Sequence, residues 1–440
     1  MKQLNELGLQ IPQILLPKNL DIKTWSVIAC DQYTQDEDYW KKAEQTAGNN
    51  PSTLRLILPE VYLNSPDKNE RIQKIRATMN DYLNNGVFNK AENCFVAIER
   101  KTAFGRTRKG LLAQIDLDTY EWKPFSKANI RATEATIVER IPPRMEIRKG
   151  APLELPHIML LVNDREHKLV EGTLSLVKNK EPLYSGELMN NGGSIKGWKV
   201  SSKEEIEYVR GELNQIAEKN TASDGSIFLF AVGDGNHSLA TAKAVWEEHK
   251  RKLLADGATE DEIRNSRVKY ALVEIVNLYD EGLTFEPIHR VIFNTDSRML
   301  IKTLAEKLGG KITGLSDKKE LEMSVKKSSA DFGFTFMEDN QQKYVLLTTD
   351  IKELAVARLQ PEIDSYLKTQ DKAEIDYIHG SDEVLKLGER INATGILLPP
   401  IAKDSFFETI NGRGPLPRKS FSMGEADEKR FYLECRKLFG

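Results

Sequence analysis

The chain has 440 residues, 40% of them hydrophobic and 29% charged, and its 63 Lys and Arg against 66 Asp and Glu leave a formal charge of -3. That balance excludes nucleic-acid binding driven by a general excess of positive charge, although a local basic groove is compatible with it. Cys30, Cys94 and Cys435 form no CxxC pair and the six histidines show no HExxH or HxH spacing, which argues against a disulfide framework and a zinc site.

The first residues lack the apolar core of a signal peptide, and no stretch approaches the ~18 apolar residues of a membrane span. A cytoplasmic protein without membrane contact is expected. At roughly 100–200 residues per domain the length predicts two to four units.

In chain order, Ser65-Pro66 predicts a helix start, followed by Ile72, Ile75, Met79, Tyr82 and Leu83 at helical spacing. CFVAIE (94–99) and LLAQIDL (111–117) read as the strands of a hairpin, and HIMLLV (157–162) as a buried strand. Ser201 and Ser202, each with a Glu three residues on, offer two capping-box registers for the next helix. IFLFAV (227–232) reads as a central strand ending in Gly-Asp-Gly, with a helix over 239–254 and a strand over 270–276 behind it. Beyond these lie a helix over 352–367, the segment 396–400, the loop NGRGPLPRKS and a terminal helix. Residues 1–290 are expected to form a main α/β body, 291–350 a small inserted α/β subdomain, and 351–440 a segment returning to the main body.

Three segments carry candidate chemistry. The sharpest is Gly233-Asp234-Gly235-Asn236-His237-Ser238, between an apolar strand and an amphipathic helix. Its glycines permit a tight turn, and the unpaired N–H groups of a helix start favour phosphate. Asp234 is a candidate metal ligand or proton acceptor, and His237 a donor to a phosphoryl oxygen. An ordinary strand–turn–helix junction accounts for the same residues. In the second, Arg131 and Glu134 of RATEAT would share one helical face, as a base or metal ligand beside a guanidinium, or simply as a solvated helix face. The third, Gly412–Ser420, fails the Walker spacing but presents Arg418 and Lys419 as an anion clamp or a plain basic turn. His289-Arg290 reads as a surface pair at the mouth of a strand.

Together VIACDQY, RATEAT, VGDGNHSLATA, PIHRVI, IDYIHG and GILLPPIAKDSFFETINGRGPLPRKSF occur in an order that resembles the bacterial domain-of-unknown-function family one-thousand-and-fifteen, over about residues 10 to 435. The family forms of the turn and of the last loop are close to Asp-Gly-His-His-Arg and Met-Pro-Pro-Lys-Ser. Here Asn236 stands for the first His, Ser238 for the Arg, and Thr133 where His usually precedes Glu134. The turn in turn resembles that of the ParB/sulfiredoxin-like superfamily, which includes free-serine kinases, sulfiredoxins and CTP-binding partition proteins.

The resemblance implies an α/β (α+β) fold with a mixed sheet and a ParB/sulfiredoxin-like core. It implies phosphoryl transfer from a nucleotide, ATP or ADP with Mg2+, to the hydroxyl of a small metabolite, free serine first. Glu134, Asp234 and His237 would be catalytic, with Asp234 also holding the metal. Gly233, Gly235, Asn236, Ser238, Arg131, Arg290, Arg418 and Lys419 would bind the nucleotide. A non-catalytic nucleotide- or anion-binding regulator is the alternative, because the turn lacks its Arg. A partition-like DNA binder would need a helix-turn-helix and positive charge, and a sulfiredoxin-type reductase would need a Cys in the turn.

Overall fold

The computed structural model describes Met1–Phe439, and its internal contacts divide it into two compact units. One comprises Met1–Ala132, Thr136–Leu283 and the chain from Glu425 onward; the other comprises Thr133–Ala135 and Thr284–Gly424. The fold is α/β, built around a large mixed sheet.

That sheet has 10 strands and belongs to the first unit. Its order runs Tyr184–Glu187, Ser194–Val200, Phe95–Lys101, Thr107–Asp116, Tyr270–Asn277, Met159–Val162, Phe230–Asp234, Ile130–Ala132, Tyr120–Glu121, with Leu9–Gln10 pairing off Thr107–Asp116. The expected hairpin forms, antiparallel from Val96↔Leu112 to Lys101↔Thr107. Both faces are covered. Phe95, Ala97, Leu111 and Ala113 point into one hydrophobic core, whereas Val96, Ile98 and Leu112 point into another. A strand buried on both faces reads as a continuous apolar run rather than an alternation, which is why these strands are visible in the sequence.

Helix Lys203–Lys219 starts at Ser202, whose side chain and that of Glu205 make the reciprocal capping box, so the second of the two registers is the one used. Helix Lys68–Asn84 begins after Asp67 rather than at Ser65, and buries Ile72, Ile75 and Met79.

The end of the chain departs from expectation. Instead of a terminal helix it runs extended: Phe431–Tyr432 pairs with Val27–Ile28, Cys435 bridges Leu15, and Arg436–Lys437 pairs with Leu153–Glu154. Its charged residues are buried in ion pairs with distant partners, Arg430 with Glu274 at 2.9 Å and Arg436 with Glu154. A helix would leave those carboxylates unpaired in the interior.

The second unit is built on a six-stranded antiparallel sheet in the order Lys311–Leu315, Gln341–Thr348, Phe332–Glu338, Ala393–Leu397, His289–Phe293, Glu374–Ile378. The polar turn at Asp339-Asn340, both at positive φ, joins the antiparallel strands Phe332–Glu338 and Gln341–Thr348. A separate pair joins Phe285–Pro287 to Phe421–Met423. All three cysteines are free thiols. Among the described residues no helix is long and apolar enough to cross a membrane.

Candidate functional site

In the first unit the strand Phe230–Asp234 delivers the Gly-Asp-Gly turn. Opposite it, Leu160 pairs with Val232 but Met159 pairs with Asp234, so Gly233 is the extra residue of a β-bulge. A bulge locally turns the strand and re-aims the side chain that follows it, here Asp234. Gly235 then takes φ +81° and ends the strand. A Cβ at this position would lie 3.2 Å from Ile158 Cα, so the left-handed backbone and the close approach both require glycine.

Helix Asn236–Ala255 begins at once, 20 residues long and with no side-chain cap at its start. The first N–H groups of such a helix have no intrahelical acceptors, and the dipole makes that end positive. His237 sits in this first turn and accepts the N–H of Ile137 through Nε2 at 3.2 Å. Asn236 is its neighbour at the first helical position.

Asp234 and Lys429 face each other across this turn. Lys429 Nζ donates to Asp234 Oδ1 at 3.3 Å, with the two side chains 9% and 17% exposed. Asp234 Oδ2 is buried without a hydrogen-bond partner. Burial raises the Asp234 carboxyl above its ordinary value; the charge of Lys429 opposes this, Asp31 adds to it, and His157 opposes it. Beside them His157 Nε2 lies 2.7 Å from Ser238 Oγ, and its Nδ1 lies 2.8 Å from the Tyr432 hydroxyl. The pocket bordering this relay is lined mainly by apolar residues, among them Leu56, Leu58, Met79, Leu153 and Leu155, together with the charged Glu60, Arg144, Arg148 and Glu154, and by Ser238, His157 and Tyr432.

Arg131 belongs to the same unit but to a strand, Ile130–Ala132, so the expected helical face shared with Glu134 does not exist. Pairing of Ala132 with Val232 holds this segment extended, and a tertiary ladder outweighs local helix propensity. The guanidinium of Arg131 stacks 4.4 Å from the Phe228 ring, and its Nε donates to the Ala128 carbonyl.

Glu134 lies in the second unit, with Arg290, Arg418 and Lys419. Leu416 bridges Glu134 in parallel, and the carboxylate of Glu134 accepts the backbone N–H of Ser420 at 3.1 Å together with those of Phe421 and Lys419. The LPRKS loop is thus wrapped around one carboxylate, with Lys419 in the left-handed region at φ +58°. Burial pushes the Glu134 carboxyl up to about 7, against the pull of those N–H groups and the Lys419 charge. His289 and Arg290 are buried rather than superficial, 7% and 0% exposed. Their strand is the second from the sheet edge, flanked by neighbours on both sides, which a local reading of PIHRVI does not reveal. His289 Nδ1 accepts the N–H of Leu398, Arg290 Nε donates to Gln360 at 2.9 Å, and Arg290 Nη2 is buried without a partner.

Sequence reasoning missed Lys429, Tyr432 and the use of His157. The first two lie in the stretch read as a terminal helix, where the apolar alternation Phe431, Leu433, Cys435 was the available signal of a strand. His157 opens a run read only as buried strand.

Residues 13–366 match the family described as "Protein of unknown function (DUF1015)". The chain belongs to that family. No curated protein matches it. Among solved structures it is similar to a conserved hypothetical protein from Pyrococcus furiosus, 12% identical, with a TM-score of 0.33 and with 71% of this chain and 90% of that chain covered. It is also similar to a mutant free serine kinase in complex with AMP, 10% identical, TM-score 0.36, covering 74% of this chain and 91% of that one. The ADP complex of that mutant gives 10% identity and 0.35, with 74% and 92% covered. Scores at this level transfer neither fold nor activity.

Proposed function

We propose that this chain binds a nucleotide with its phosphates against the turn Gly233–Ser238 and transfers a phosphoryl group to the hydroxyl of a small metabolite, free serine being the first candidate. The observation that carries this reading is the largely buried Asp234–Lys429 pair at the start of an uncapped 20-residue helix. A cation and a helix N-terminus converging on one point favour a multiply charged anion, and a carboxylate at the same point suits proton acceptance from an alcohol.

Phosphoryl transfer depends on positioning and charge neutralisation. In this reading backbone N–H groups of residues 235–239 hold the phosphate oxygens, with Gly235 keeping them unobstructed. Lys429 balances charge developing on the transferred group, and Asp234 accepts the hydroxyl proton. The buried, unpartnered Asp234 Oδ2 also fits Mg2+, which commonly takes one or two carboxylates and completes its shell with phosphate and water oxygens. Bound there, the ion would supply further neutralisation of phosphate charge. The names of the kinase structures above agree with this proposal, which rests on the residues of the turn and not on those names.

Incubation of the chain with ATP, Mg2+ and single hydroxylated metabolites, followed by phosphorus NMR of the products, tests the proposal. Transfer to one of them is expected. Nucleotide binding without any turnover would instead establish the regulator, a reading that Ser238 in place of the family's Arg favours.

A further inference from the structure

The hydroxyl of Ser238 has one hydrogen-bond partner among the described residues, His157 Nε2 at 2.7 Å. In the tautomer with Nε2 bare, the Ser238 proton points at that nitrogen. The other nitrogen, Nδ1, then carries the ring proton and donates it to the Tyr432 oxygen, 2.8 Å away. Tyr432 also accepts the Cys30 N–H at 3.2 Å. One consistent assignment therefore runs from the Ser238 hydroxyl to His157 Nε2 and from His157 Nδ1 to Tyr432, and it is the one an activated serine requires. Burial raises the Tyr432 hydroxyl well above its ordinary value, so it stays protonated.

This is the arrangement an activated serine needs: an oxygen nucleophile, a base within hydrogen-bond reach, and a third group that fixes the base's tautomer and direction. A simple buried network would satisfy the same groups, but it has no reason to lie where Ser238 lies. Ser238 occupies the first turn of the uncapped helix, next to the Asp234–Lys429 pair and on the wall of a mainly apolar pocket. Leu56, Leu58, Met79, Leu153 and Leu155 supply a surface suited to a flat, weakly polar base or acyl group.

We propose that Ser238 is the residue to which the phosphoryl group is first transferred, with His157 as its base and Tyr432 as a positioning residue. The proposal rests on the phosphoryl-transfer reading above. In the first step Ser238 Oγ attacks the terminal phosphorus of the nucleotide. The bond from that phosphorus to the bridging oxygen breaks, the nucleoside diphosphate leaves, and the Ser238 proton passes to His157 Nε2. In the second step the metabolite hydroxyl attacks the phosphoserine and gives its proton to Asp234. The bond from phosphorus to Ser238 Oγ breaks, and His157 returns its proton to Ser238. The sum is one phosphoryl moved and one proton released from Asp234, with no oxidant or further reactant.

Two measurements on the full chain separate the covalent step from the overall reaction. Mixing with ATP and Mg2+ without an acceptor, followed by acid quench and peptide mass spectrometry, should show phosphate on Ser238, lost in Ser238→Ala and formed about 10²–10⁴-fold more slowly in His157→Gln. Ala suits a helix interior, so Ser238→Ala should fold, and far-UV circular dichroism checks that it does. A fluorophosphonate probe, which needs no nucleotide, should label Ser238 in wild type, with Tyr432→Phe slowed less than His157→Gln. Transfer to a metabolite with no trapped phosphoserine would overturn the covalent step and leave the proposed function standing. Probe labelling of Ser238 with no nucleotide turnover would overturn the phosphoryl role and the proposed function together. No labelling by either route would show that the relay is structural.

Discussion

The Lys429 ammonium donates to Asp234 Oδ1 at 3.3 Å, across 195 positions of sequence. Neither residue is exposed enough for water to replace the other. Removing one therefore leaves a poorly solvated charge, and the pair is either costly to the fold or used by a ligand.

Lys429→Met should weaken nucleotide or pyrophosphate binding and also lower the melting temperature, because Asp234 loses its counter-charge. Lys429→Met combined with Asp234→Asn should recover stability but not affinity. Thermal unfolding of the three variants with and without ligand checks this. A double variant that binds as wild type would show that the pair serves only the fold.

Gly235→Val should damage the turn and little else. A β-branched residue at φ +81° costs about 1–2 kcal/mol in backbone strain, and its Cβ would press on Ile158. Phosphate affinity should fall while the far-UV circular dichroism spectrum is kept. Unchanged affinity in the folded variant would remove the turn from the binding site.

Glu134 gives a pH signature confined to the second unit. Its folded value of about 7 lies above the ordinary 4.5, so the folded state holds the proton more tightly than the unfolded chain does. The stability this contributes is present below about 4.5 and is lost as pH rises through about 7. Glu134→Gln, which cannot ionise, should flatten that fall, and melting curves from pH 4 to 8 should converge on or cross the wild-type curve, where ~4 and ~8 simply bracket the two values. We read Glu134 as the acceptor that shapes the LPRKS loop, so activity per folded molecule should be kept. Loss of turnover in a folded Glu134→Gln variant would restore the proton-acceptor role expected from the sequence.

The closing strand rests on one carboxylate. Glu154 accepts from Arg436 Nε at 2.9 Å and pairs with Arg148 at 2.7 Å, almost fully buried. Glu154→Ala should cost about 3–5 kcal/mol, since it strands buried guanidinium charge. Urea denaturation measures it directly.

What the sequence showed and hid follows from where the information lies. Strand Tyr270–Asn277 is apolar but for Glu274 and the closing Asn277, and the capping box at Ser202 is written in residues three apart, so both are local. Arg430 and Glu434, four residues apart, look locally like an ion pair on one face of a solvated helix, with Arg436 close behind. Their partners, including Glu274 and Glu154, are supplied by distant strands, and no periodicity announces that. The same holds at the site. Gly233, Asp234 and Gly235 could be found from the turn itself, whereas Lys429 and Tyr432 arrive from the far end of the chain. Arg131 was misread because Ile130–Ala132 is held extended by Phe230–Val232, a pairing between residues 100 positions apart.

The central claim is that the turn Gly233–Ser238 with Lys429 binds the phosphates of a nucleotide. Calorimetric titration of the full chain with ATP and Mg2+, run beside Lys429→Met and Gly235→Val, tests it most directly. Saturable binding by wild type, weakened at least tenfold in each folded variant, or about 1.4 kcal/mol, is the predicted result. Equal affinity in all three proteins, or no binding by wild type, would contradict it.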